Sequence, residues 1–311
     1  MNIQQFKYIL ALARERHFET AANQCYISQS TLSTMISKFE DEIGIKIFDR
    51  KKKPVTVTKE GTIIINQIKV ILDDINQLEQ LTHEIKGVIK GNLRLSVIPT
   101  IAPFLLPLFI QQFANEHSDL TIEVREQTTD EIIRLLKTRE IDIAIVSTPL
   151  YDADIIETHL YDEPFVYYDA TDNKKETIQI SDVSLSNLCL LEEGHCLRTQ
   201  VLNLCELQKS QSGLKMSFDY RAGSIDSLLR FVKANSASTL LPFLATTDMS
   251  ALERSHIRHF GEPVPYRSIG VITHRHFVKS QVLQLLKHHI IKAVQSKLPT
   301  KSQETIIFSP K

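Results

Sequence analysis

Through the first sixty residues, apolar side chains recur every three or four positions, which predicts a small helical module. Leu32, Met35, Ile36, Phe39 and Ile43 would line the buried face of one helix, and Ser28 just ahead of it is suited to cap its start. Gln29, Ser30, Thr31, Ser33, Thr34, Ser37 and Lys38 are left for other surfaces of that helix. A shorter helix over 18–24, with Ala21 and Ala22 packed inside, precedes it across the turn Cys25-Tyr26-Ile27. Residues 54–58 then read as a strand. Next, Ile64, Ile68, Ile71, Ile75, Leu78, Thr82 and Ile85 alternate spacings of four and three, the period of a two-stranded coiled coil. These residues could instead seat one long helix on its own domain, but Gly87 and Gly91 end the run early, which favours dimerisation.

From residue 92 the period changes. Strands over 92–98, 120–126 and 141–147 alternate with helices over 104–115 and 129–138. Further strands are expected at 165–168, 187–191, 215–221, 238–241 and 267–273, with helices over 196–205, 224–234 and 280–297. The series predicts an α/β effector domain of two Rossmann-like lobes, with crossovers near 161–164 and 262–266 and a cleft between the lobes. The expected domains are a DNA-binding module over 1–60, a dimerising linker helix over 61–90, and an effector domain over 91–311. Within the effector domain, lobe I takes 91–161 and 267–311, and lobe II takes 162–266. The polar tail after Leu298 is expected to be mobile.

A chain of 311 residues that is 42% hydrophobic can bury cores in two or more domains. Four unevenly spaced cysteines do not make a secreted disulfide framework, and residues 1–7 lack the apolar core of a signal peptide. No apolar run approaches the length of a spanning helix, so a cytoplasmic protein without a membrane partner is expected. The net charge of −1 conceals an uneven distribution. Residues 1–60 hold ten Lys/Arg against seven Asp/Glu, with Arg50, Lys51, Lys52 and Lys53 adjacent, and such a cluster can contact phosphates. The polar face around Gln29 suits entry into a DNA major groove.

Cys196 lies in Gly194-His195-Cys196-Leu197-Arg198, and a thiol between an imidazole and a guanidinium is biased toward the reactive thiolate. It is the candidate redox sensor. Leu197, Val201 and Leu204 form an apolar helical stripe bordered by Cys205, and nine residues of helix rise about 13 Å. A disulfide needs its Cα atoms within roughly 7 Å, so oxidation of this pair would require the intervening helix to unwind. Cys25 and Cys189 read as small buried hydrophobes. His195-Cys196 lacks the second short-spaced ligand pair of a zinc site, so no metal is expected there.

Ser28-x-Ser30-x-x-Ser33-x-x-Ile36-x-x-Phe39-Glu40-x-x-Ile43-Gly44-x-x-Ile47-Phe48-x-Arg50, followed by Thr58-x-x-Gly61, resembles the winged helix-turn-helix of LysR-type transcriptional regulators. The resemblance implies that Gln29, Ser30, Thr31, Ser33, Thr34 and Lys38 meet the major groove. It puts Arg50, Lys51, Lys52 and Lys53 at the backbone or minor groove. It also implies a periplasmic-binding-protein-like effector domain. Ser30 stands where many members carry proline. The effector half is similar to the peroxide-sensing OxyR-type branch of that family, through the 194–198 segment, Cys205, Pro99-Thr100, Thr129 and Arg267-Ser268-Ile269-Gly270. That similarity implies a pocket in which Thr100, Thr129, His195 and Arg267 surround Cys196, with Cys205 as the resolving thiol. Thr199 stands where the branch has an acid.

Each pocket residue also has a plainer role: Thr100 and Thr129 as helix caps, His195 on a backbone group, Arg267 on a surface carboxylate. Three functions stay open. One is a peroxide-sensing regulator that activates or represses transcription through Cys196 and Cys205. The second is the same regulator answering an anionic inducer in the cleft, and the third is a thiol peroxidase, which the amino-terminal module disfavours. The implied partners are double-stranded promoter DNA, hydrogen peroxide as the signal, RNA polymerase, and further copies of the chain in a homodimer or homotetramer. No cofactor is expected.

Overall fold

The computed structural model describes residues 1–171, 175–183, 187–192, 194, 196–204 and 221–310, with Gln80 and His83 described through their backbone alone. His195, Cys205 and most of the strand expected at 215–221 lie outside the described residues. The chain divides into two compact units, Met1–Thr82 and His83–Lys311.

In the first unit, α1 (Ile3–Glu15) begins at a capping box in which the Asn2 side chain accepts from the Gln5 amide while the Gln5 side chain accepts from Asn2. α2 (Phe18–Gln24) follows, and α3 (Gln29–Ile43) starts at Ser28, whose Oγ accepts from the Thr31 amide at 3.1 Å. Gly44 ends α3 with φ +70°, a conformation that suits glycine. β1 (Phe48–Asp49) and β2 (Thr56–Val57) pair as a two-stranded wing. Leu32, Ile36 and Phe39 are buried as their spacing predicts, but Met35 and Ile43 are only partly covered, and Glu40 is buried instead.

α4 (Lys59–Ile85) is the long helix that the heptad spacing predicts. The seam, however, is divided along its length. Ile65 and Ile68 are buried in the core of the first unit, with Ile64, Ile71 and Leu72 packed against it. Further along, Leu78 is 63% exposed and Ile85 77%. The single-domain packing role that the spacing allowed therefore holds for the first half of the helix.

In the second unit, β3 (Gly91–Val97), α5 (Ala102–Glu116), β4 (Leu120–Glu126), α6 (Thr129–Lys137) and β5 (Ile143–Thr148) alternate, with β3 parallel to both β4 and β5. β6 (Ile155–Asp169) is a single 15-residue strand where the alternation predicts only 165–168. β7 (Thr177–Ile178), β8 (Leu190–Leu191), α7 (Cys196–Leu204), β9 (Arg221–Ala222), α8 (Ile225–Ala234), β10 (Ser238–Pro242), α9 (Ala251–Arg254) and β11 (Ile257–Phe260) follow. β12 (Val264–His274) is the second long strand, and α10 (Ser280–Gln295) leads to β13 (Thr305–Ile307).

β6 and β12 pair antiparallel along their length. β5 pairs antiparallel with residues 268–273 of β12 on its other edge, while β10 and β11 flank the last residues of β6. Each lobe has its own core. One gathers Leu93, Val97, Ile132, Ile145 and Leu286, and the other gathers Phe165, Tyr168, Leu190, Val201 and Leu241. The tail is not the free segment expected. β13 adds to β12 in parallel, Val264 opposite Thr305, and the Phe308 amide donates to the Tyr266 carbonyl at 2.9 Å. Three residues with two apolar side chains are too short a pattern to separate from loop in the sequence.

Candidate functional site

The helix-turn-helix presents Gln29, Ser30, Thr31, Thr34 and Lys38 on the exposed side of α3, with Ser33 half-buried. Ser28 Oγ lies 2.9 Å from Ser30 Oγ and 2.8 Å from Thr31 Oγ1, so the serine at position 30 joins the cap network at the helix start. Tyr26, in the turn before that cap, has φ +56° and is 95% exposed. A fully exposed tyrosine beside a recognition helix is a further candidate contact. Its only trace in the sequence is an aromatic residue inside a turn.

The remaining motif residues hold the module together. Glu40 Oε1 accepts from the amides of Ile47 at 2.8 Å and Phe48 at 3.1 Å, while its Oε2 takes Arg50 Nη2 at 3.1 Å and lies 3.5 Å from Lys46 Nζ. A buried carboxylate needs such partners, and here they lock α3 to the wing. Arg50 also donates to Ser33 Oγ at 3.2 Å and lies over the Phe18 ring. Arg50 is therefore a structural clasp as well as a candidate DNA contact, whereas Lys51, Lys52 and Lys53 are exposed. Thr58 Oγ1 accepts from the Gly61 amide, and a Cβ on Gly61 would stand 2.3 Å from the Ile47 carbonyl oxygen, so only glycine lets α4 start so close to the wing. Arg50→Ala is expected to lower both the melting temperature of this unit and DNA affinity. Lys51→Ala is expected to lower DNA affinity alone, and equal melting losses in the two variants would contradict the clasp.

Two of the residues that the resemblance implies for an effector pocket lie where the parallel strands end, the usual place for a site in such a sheet. Thr100 and Thr129 each stand three residues beyond their strands, β3 and β4. Neither caps a helix. Ile101 and Thr128 occupy the cap positions, which leaves Thr100 2% exposed and Thr129 with a buried hydroxyl that has no protein partner.

Strand register groups Arg267 with four other side chains. Ile269 on β12 stands opposite both Ser147 on β5 and Tyr161 on β6, and Arg267 stands opposite Glu163. Alternation puts all five of these side chains on one face of the sheet. Arg267, 1% exposed, donates from Nε to Glu163 Oε2 at 2.9 Å, from Nη1 to Thr100 Oγ1 at 3.2 Å, and from Nη2 to the Thr100 carbonyl at 3.1 Å. Glu163 also accepts from the Leu244 amide at 2.7 Å. The plain surface role for Arg267 does not hold, because its carboxylate partner is fully buried. Glu163 was missed in the sequence, although an acid between Leu160-Tyr161 and Phe165-Val166 is the signal of a buried pair. Burial pushes the Tyr161 phenol far above its ordinary range, and the Glu163 carboxylate adds to the rise. Tyr161 Oη and Ser147 Oγ, like Thr129 Oγ1, are buried without a protein partner.

Cys196 opens α7 and is 7% exposed. Its side chain belongs to the lobe I core, together with Ile101 and Leu244. The next turns of the same helix, Leu197, Val201 and Leu204, belong to the lobe II core. The Arg198 guanidinium is engaged by the Leu191 carbonyl at 2.8 Å. Gln200, one turn beyond Cys196, donates to the Phe308 carbonyl at 2.9 Å and so ties the helix to the end of the tail strand. Cys189 is buried as expected and burial raises its thiol pKa; Cys25 is only partly buried, although desolvation there still outweighs the lowering effect of Arg14.

Residues 3–62 match the bacterial regulatory helix-turn-helix protein of the lysR family, and residues 86–295 match the LysR substrate binding domain. The chain belongs to the LysR family. Among its LysR-family relatives, the hydrogen peroxide-inducible genes activator of Dickeya chrysanthemi is 32% identical over 275 residues, covering 88% of this chain and 89% of that protein. The DNA-binding transcriptional dual regulator OxyR of Escherichia coli is 31% identical, with the same coverage. Of solved LysR-family structures, a full-length OxyR from Pseudomonas aeruginosa superposes with a TM-score of 0.72 at 29% identity, covering 94% of this chain and 98% of that one. The architecture is that of a DNA-binding LysR regulator, a helix-turn-helix unit followed by a periplasmic-binding-protein-like effector domain. Among the described residues, no helix is long and apolar enough to cross a membrane.

Proposed function

We propose that this LysR regulator senses hydrogen peroxide through Cys196, with Cys205 as the resolving thiol, and transmits the change to promoter DNA. The observation that carries this reading is the division of α7 between two cores. Cys196 packs with lobe I and the rest of its helix with lobe II, so a new bond at that sulfur must disturb the junction of the lobes.

The character of the pocket supports an uncharged ligand. Arg267 is already neutralised by Glu163 and engaged by Thr100, so an anionic inducer would have to compete with a buried carboxylate. Unpartnered hydroxyls at Thr129, Ser147 and Tyr161 suit a small neutral molecule that both donates and accepts hydrogen bonds. Thr100, Thr129, Arg267 and His195 would orient the peroxide. The Cys196 thiolate attacks one oxygen, the O–O bond breaks, and hydroxide leaves as the sulfenic acid forms. The Cys205 thiol then attacks that sulfur and releases water, leaving a disulfide. α7 spans nine residues, so the bond requires it to unwind.

One equivalent of peroxide should remove two thiols per chain and yield a single cross-linked peptide containing Cys196 and Cys205, with Cys25 and Cys189 unmodified. Loss of other thiols, or continuous peroxide turnover, would overturn the reading in favour of damage or a peroxidase.

For DNA, Gln29, Ser30, Thr31, Ser33, Thr34 and Lys38 would address the major groove, and Arg50, Lys51, Lys52 and Lys53 the phosphates. Affinity should then fall steeply with salt. Gln29→Ala should change discrimination between operators more than it changes the salt slope. A salt-independent affinity would contradict this interface.

The active form is a homodimer or homotetramer in the cytoplasm that acts on RNA polymerase. Leu78 and Ile85, exposed on the second half of α4, are the seam residues left for a partner helix. Leu78→Asp in the full chain should halve the mass seen by light scattering and weaken operator binding, and an unchanged mass would rule out this seam.

A further inference from the structure

We propose that Glu116, His117 and His289 bind a divalent first-row transition metal, with zinc the best match. Glu116 ends α5, His117 is its C-cap, and His289 lies on α10. One ligand atom from each lies within 4.8 Å of the others.

Hydrogen bonding defines what these atoms offer. His289 Nδ1 is 2.9 Å from the Leu285 carbonyl oxygen, which can only accept, so Nδ1 carries the hydrogen. Nε2 then presents its lone pair, 2.9 Å from Glu116 Oε2, which also only accepts. Two acceptors at that distance require a shared cation or a proton between them. His117 Nε2 is buried and has no hydrogen-bond partner among the described residues, an unsatisfied ring nitrogen beside the other two. The His289 side chain is 10% exposed and Glu116 is 48% exposed, so the cluster opens to solvent on the carboxylate side.

Its surroundings hold the ligands as outer contacts do in metal centres. Gln112 donates to Glu116 Oε1 at 2.7 Å, and the Phe113 ring meets both imidazoles near edge-on, with centroids 5.0 and 5.2 Å away. The carboxyl end of α5 adds negative potential that favours a cation. Two imidazoles and a carboxylate with one open position form a zinc-type set, and ligands at about 2.0–2.2 Å from the metal would stand roughly 3.3 Å apart. Side-chain rotation would have to close the present spacing of up to 4.8 Å to that value. The sequence hides the site because its two histidines are far apart in the chain and meet only where α5 packs on α10. None of the cysteine pocket is involved.

The test uses full-length protein stripped with a chelator and titrated with cobalt, then zinc. One cobalt per chain should bind with visible bands of nitrogen and oxygen ligation and without a thiolate charge-transfer band, and zinc should displace it and raise the melting temperature. His289→Ala and Glu116→Gln should each weaken binding by about tenfold or more, with unchanged circular dichroism. His288→Ala, at the exposed neighbouring position, should bind as wild type. A thiolate band that persists in His289→Ala would place the metal on cysteines. The same isotherm for wild type and His289→Ala would show that the cluster holds only a proton. Either result overturns the proposal.

Discussion

Replacing Cys196 by serine is expected to abolish the response to peroxide while leaving the reduced fold and DNA binding unchanged. Serine is slightly smaller than cysteine and fits the same 7% exposed position, but its hydroxyl does not displace hydroxide from a peroxide. Cys205→Ser is expected to differ. Cys196 would still be oxidised to the sulfenic acid, and without a partner it would stop there or advance to sulfinic acid under excess oxidant. Amide exchange across residues 197–204 should therefore rise on oxidation of the wild type and stay low in Cys205→Ser. Transcription still induced by peroxide in Cys196→Ser would remove Cys196 from the sensing step.

The helix itself explains why such a small reaction can matter. Leu197, Val201 and Leu204 must leave the lobe II core if residues 197–204 unwind, and Gln200 must release Phe308 and with it the tail strand on β12. Losing three buried apolar side chains costs several kcal/mol at about 1.5–3 kcal/mol each, a cost that the covalent bond must offset. A reduced state with an intact helix and an oxidised state without it is a two-state element of the kind that switches use.

Local signals in the chain were legible, and long-range ones were not. Ser28 as a cap, the helix over 29–43 and the spacing along α4 follow from neighbouring residues and stand where expected. Glu40 and Glu163 were not foreseen as core residues, because what allows a carboxylate to be buried is a partner elsewhere: Arg50 across the wing, and Arg267, 104 residues away in the chain. The heptad run misled in part for the same reason, since its spacing cannot say whether Ile68 faces a second chain or its own domain. Thr100 and Thr129 illustrate a finer limit. An offset of one residue from the cap position leaves the Thr100 hydroxyl to Arg267 and the Thr129 hydroxyl buried without a protein partner.

Glu163→Ala is expected to destabilise the effector unit by about 3–5 kcal/mol, because it leaves the Arg267 guanidinium buried beside Thr100 with no counter-charge. The Leu244 amide loses its acceptor in the same variant, which adds to the cost. In urea the midpoint should fall while the slope is kept, since the surface exposed on unfolding is unchanged. The decisive comparison is the double variant Glu163→Met with Arg267→Met. Two apolar side chains of similar volume need no counter-charge, so the double variant should be clearly more stable than Glu163→Ala alone. Its peroxide reactivity should nevertheless be lost, because Arg267 is gone from the wall that holds Thr100. If the double variant is as unstable as the single, the pair acts through packing. If it still reacts with peroxide at the wild-type rate, Arg267 has no part in the pocket.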